Sequence, residues 1–148
     1  MNAAKATSGF IAGFVGVLVF HQAAVLLLHL LRIIPSMPWR FDPVPPLSVP
    51  TVISAAFWGG LWGIVLAFTL PDDHRTPRFW LLAFVFGALA PTLVSWFIVQ
   101  PLKGHPMGGG FQWPRLLIGP FVNGAWGLGT AAVLALWPGR QAVERQGF

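Results

Sequence analysis

Four runs of mostly apolar residues, 9–31, 52–70, 79–99 and 116–137, alternate with stretches crowded with Pro and Gly. About 20 apolar residues in helical form cross a hydrocarbon core about 30 Å thick, so each run predicts one transmembrane helix. Pro35, Pro38, Pro43, Pro45, Pro46 and Pro50 break the chain after the first run. Pro71 and Pro77 bracket the second connection, and Pro101, Pro106, Gly108, Gly109, Gly110 and Pro114 occupy the third. Proline ends helices, and hydrated connections are where such backbone finds partners. The expected fold is all-α: one transmembrane domain over residues 1–148, a four-helix bundle with both termini on the same side. The first run is longer than the roughly 7–15 residues of a signal-peptide core, so it is expected to be retained as a helix.

A weak internal repeat suggests two tandem helical hairpins. Gly60-Leu61-Trp62-Gly63 in the second run resembles Gly124-Ala125-Trp126-Gly127 in the fourth. Ile33-Ile34-Pro35 resembles Val99-Gln100-Pro101. The second and fourth runs each close on a large apolar residue and then proline, at Pro71 and Pro138. Membrane folds are often built from such repeats. Tryptophans agree with the boundaries, since indole rings favour the headgroup level. Trp39 and Trp113 fall on one side, Trp80 and Trp137 on the other. Trp58, Trp62, Trp96 and Trp126 lie inside the runs, where each indole N–H needs an acceptor or water.

Composition removes the soluble alternative. Only 9% of the residues are charged and mean hydropathy is +0.70, whereas a soluble domain carries about a quarter charged residues. The absence of cysteine excludes disulfides, Cys-ligated zinc, iron–sulfur clusters and c-type haem attachment. The net charge of +5 comes from nine scattered Lys and Arg. Scatter of this kind does not suit nucleic acid, which selects clustered cations; it suits anionic lipid headgroups. The two sides are nearly balanced. Lys5, Arg75, Arg78, Arg140 and Arg145 stand on the terminal side, and Arg32, Arg40, Lys103 and Arg115 on the other. The slight excess and the Pro- and Gly-rich outer loops point to cytoplasmic termini. The arrangement resembles small bacterial inner-membrane proteins, and no motif names a family.

Polar residues inside a span are costly and usually face protein, water or ligand. His21, Gln22, Thr92 and Asn123 fall at depths where they could meet as one polar node. Gln22 and His29 lie about 20° apart around the first helix, and with Arg32 they form a polar stripe. Gly9, Gly13 and Gly16 fall on roughly the opposite face, which makes the first helix the expected centre of the bundle or an oligomer seam. His21 and His29 are about 12 Å apart along the axis, whereas a metal needs its nitrogens within about 2.1 Å. No shared metal is expected. Either histidine could serve as a single axial ligand to haem or another tetrapyrrole, but no cofactor is expected in the primary reading. Arg32, Arg40, Lys103 and Arg115 are candidates for binding an anion or lipid headgroup, or alternatively a quinone headgroup.

Small residues recur four apart in every span, as Gly9/Gly13, Gly59/Gly63, Ala83/Gly87 and Ala125/Gly129. Lipid tails are as apolar as Leu, so close backbone approach drives helix association. These positions are the expected packing faces, within the chain or between chains. No span contains an acid, and no nucleophile elbow, zincin or nucleotide fingerprint is present, so no catalytic residues are expected. The primary expectation is a non-catalytic membrane subunit, part of a homo-oligomer or larger complex, packing through its small-residue faces. The alternatives are a small dimeric transporter or channel, and a redox subunit associated with haem, pigment or quinone.

Overall fold

The structure is a computed structural model that describes residues 2–139. Four helices are long and apolar enough to cross a membrane: α1 Ala3–Leu30, α2 Thr51–Thr69, α3 Pro77–Leu102 and α4 Arg115–Ala135. The protein is therefore an all-α, multi-pass membrane bundle. Arg140 and Arg145, counted above on the terminal side, lie outside the described residues.

Each helix starts where local chemistry allows. Asn2 caps α1, its side chain accepting from the Lys5 N–H at 3.3 Å. Thr76 is extended and Pro77 occupies the first turn of α3, where a missing N–H costs nothing. The first turn of α4, Arg115–Leu117, is a 3-10 turn. The first connection is more ordered than its proline content suggests. Strands β1 (Pro43–Val44) and β2 (Val49–Pro50) pair antiparallel, and the Thr51 and Val52 N–H groups donate to Asp42 O and Arg40 O, both at 2.9 Å.

The chain forms two antiparallel hairpins, α1 with α2 and α3 with α4, joined across the middle by α1 against α4. The first seam is made of glycine. A Cβ on Gly13 would stand 2.8 Å from Gly63 Cα, and one on Gly9 would stand 2.8 Å from Gly63 O. Gly59 O lies directly against Gly13. In the second seam, a Cβ on Gly87 would stand 2.6 Å from Asn123 O and 2.8 Å from Gly127 Cα, and Ala83 O lies directly against Gly127. At these contact points only backbone and hydrogen atoms fit between the helices. Trp126, 2% exposed, joins the hairpins by donating its indole N–H to Gly13 O at 3.0 Å.

Two expectations are corrected. The third helix does not stop before Pro101 but continues to Leu102. Pro101 sits in the last turn, where its missing donor costs one hydrogen bond rather than a helix. Val99-Gln100-Pro101 is thus inside a helix, whereas Ile33-Ile34-Pro35 lies beyond one, so that limb of the apparent repeat is not structurally equivalent. In α4 Asn123 and Gly127 face α3, while the expected packing positions Ala125 and Gly129 face α1. Ala125 packs against the small Ala24–Leu28–Val122 cluster, and Gly129 lies under the Phe20 ring of α1. The reason is that α4 serves two partners, and residues two positions apart point at different neighbours on a helix.

Candidate functional site

Both long helices contain a π turn, Val17–His21 in α1 and Ser95–Val99 in α3. Such turns add a residue and shift the phase of everything downstream, and they are frequent at functional sites. In α1 the shift has a clear consequence. Before it, Ala12, Gly13 and Gly16 face the α2 and α4 seams; after it, Ala24 and Leu28 pack with Val122 of α4, and α2 is no longer met. The polar stripe and the glycine face therefore belong to two differently phased segments.

Each π turn is followed at once by a glutamine, and each glutamine holds a connection. Gln22 Oε1 accepts the Trp39 backbone N–H at 2.8 Å. Gln100 Oε1 accepts the Gly109 backbone N–H, also at 2.8 Å. Each connection also lays an aromatic ring on the wide turn. The Trp39 indole donates to Leu18 O at 2.8 Å. The Phe111 ring lies 6.1 Å from Trp96 and 5.9 Å from Phe97. These paired latches are the most specific polar feature on the loop side. Gln100 and Phe111 escaped the sequence reading, since a glutamine beside a proline at a helix end carries no signal until the π turn is seen.

The expected polar node is resolved into two pairs. Asn123 Nδ2 donates to Thr92 Oγ1 at 2.9 Å, tying α4 to α3 with Thr92 only 2% exposed. Gln22 Nε2 lies 3.3 Å from His21 Nδ1. His21 is thus engaged by its neighbour Gln22, not by Asn123 or Thr92. It lies two-thirds of the way along α1.

His29 stands apart. Its Nδ1 is enclosed and has no hydrogen-bond partner. The ring lines an open cleft of about 590 Å³ with Leu30, Arg32, Ile33, Ile34 and Pro35. The cleft is formed as α1 ends: Arg32 takes a left-handed φ of 60°, its N–H donates to His29 O at 2.9 Å, and Ile33 N–H returns to Leu28 O at 2.9 Å.

The four loop-side cations are all exposed. Arg40 is partly neutralised, its Nε and Nη2 each 2.7 Å from Asp42 Oδ2. Arg32, Lys103 and Arg115 have no carboxylate partner among the described residues. No group of three or more His, Asp or Glu close enough to hold a metal occurs among the described residues. The chain matches no known family model, no curated protein and no solved structure.

Proposed function

We propose that the protein is a non-catalytic structural component of a bacterial inner membrane, with both termini in the cytoplasm. One observation carries this reading: five polar side chains in and beside the spans hold helices and loops together. Trp126 joins the two hairpins, Asn123 joins α4 to α3, and Gln22, Gln100 and Trp39 fasten the connections. Such groups are committed to architecture and are not free to act on a substrate. The small-residue faces at Gly9, Gly13, Gly59, Gly63, Ala83 and Gly87 lie inside the single chain. Association with further copies or a larger complex therefore uses the outer apolar faces, of which α3, the least covered helix, offers the largest. Arg32, Lys103 and Arg115 meet anionic headgroups.

Purification from native membranes in mild detergent, with a native gel and a visible spectrum, tests the proposal. A colourless chain travelling with another membrane protein supports it. Ion flux through the purified chain in liposomes would replace it with the transporter reading.

A second reading, a redox subunit associated with haem or quinone, is favoured by His29 alone. With Nδ1 enclosed, only Nε2 is left to meet a ligand, and the apolar walls with Arg32 suit a macrocycle or quinone with a polar edge. An absorption band lost in His29→Ala would establish it.

A further inference from the structure

The latch at Trp39 places part of the first connection below the membrane surface. The Lys5–Asp72 ion pair, 3.6 Å long, marks the terminal-side edge of the bundle. At about 1.5 Å per residue, Leu18 stands about 20 Å above Lys5 and Gln22 about 25 Å. Both lie inside a hydrocarbon core about 30 Å thick, and helix tilt only deepens them. The end of α1, at Leu30, stands about 38 Å up by the same rise, beyond the core. The chain leaves α1 there and reaches Gln22 and Leu18 again at Trp39. It therefore descends by more than 10 Å over 31–39, well within the roughly 3.3 Å per residue of extended backbone.

Non-helical backbone survives at such depth only where its polar groups are satisfied. The segment lowers the cost of that burial at several of its groups. Pro35 and Pro38 carry no N–H, the Trp39 N–H goes to Gln22, and Arg40 O and Asp42 O accept from the first residues of α2. The Arg40–Asp42 pair neutralises the local charge. Beside the exposed Arg40–Asp42 pair, Met37 and Phe41 turn apolar side chains outward, 64% and 70% exposed.

We propose that residues 33–42 form a re-entrant segment seated in the loop-side leaflet, with phospholipid acyl chains covering Met37 and Phe41. The inference rests on the bilayer placement and not on the non-catalytic reading. The cysteine-free sequence allows Met37→Cys, Phe41→Cys and Asp73→Cys to be spin-labelled singly in the full chain. Each is reconstituted in vesicles of phosphatidylcholine and phosphatidylglycerol. Collision with oxygen, which concentrates in lipid, is compared with collision with a water-soluble nickel chelate. Both side chains point outward, so the labels leave packing intact, as helical circular dichroism verifies. The expected result is oxygen dominance at 37 and 41 and nickel dominance at 73. Nickel dominance at 37 and 41 would place the segment in water and overturn the proposal. Shielding from both reagents would place it against protein and overturn it equally.

Discussion

Replacing Gly13 with Ala adds one carbon at the tightest point of the first seam. That carbon would stand 2.8 Å from Gly63 Cα, with Gly59 O closer still. Carbon atoms rest about 3.5–4.0 Å apart, so the helices must part by roughly 1 Å, and a gap of that size forfeits a quarter to a half of each contact's attraction. Both obstructing atoms are backbone and cannot rotate away. Overpacking of this kind costs about 1–3 kcal/mol. Alanine's better helix propensity returns about 0.8–1.0 kcal/mol, so the steric effect wins and a net loss of up to about 2 kcal/mol is expected. Gly13→Leu should lose more. Ala23→Leu, at an exposed position of the same helix, should be close to neutral. Unfolding in mixed micelles with increasing dodecyl sulfate, followed by fluorescence of the eight tryptophans, measures the order. If Gly13→Ala unfolds with or after the parent, propensity outweighs contact and the glycine seam does not hold the hairpin.

Trp39→Phe keeps the ring but loses the bond to Leu18 O; a loss of about 1 kcal/mol is expected, read as faster amide exchange over 33–42 with the helices unchanged. Asn123→Leu and Thr92→Val should each cost about 0.6 kcal/mol and in combination no more than either alone, because they share one hydrogen bond; full additivity would dissolve the pair. His21→Gln should preserve the fold, because an amide can still meet Gln22, and His21→Leu should cost about 1 kcal/mol in the same micelle assay. A visible band in the parent that either His21 change bleaches would make the residue a ligand.

Helix number and type were legible because hydropathy and Pro/Gly punctuation report directly on burial in lipid. Finer features depend on phase. Gly59 and Gly63 could be read as a packing face because α2 serves mainly one neighbour, whereas the partner helix of Gly129 could not be read because α4 meets both α3 and α1. The π turns were invisible: Val17–His21 and Ser95–Val99 have ordinary apolar composition, and only tertiary packing decides where a helix gains a residue. His21 and Gln22 were recognised as unusual, but their partner is Trp39, which sequence reasoning placed at an interface. Its contact with Leu18 O depends on the loop turning back, a property that no local pattern encodes.

The central claim is that the glycine faces close the fold within one chain rather than join chains. Light-scattering mass of Gly59→Leu plus Gly63→Leu, in the same mild detergent as the parent and below its unfolding point, tests this most directly. A Cβ on Gly63 would already stand 2.8 Å from Gly13 Cα, so the variant should lose stability by at least the roughly 1–3 kcal/mol of overpacking. The account predicts that it does so while keeping whatever mass the parent has. A variant that falls to a smaller assembly with its unfolding point unchanged would show that the seam lies between chains, and would contradict the account.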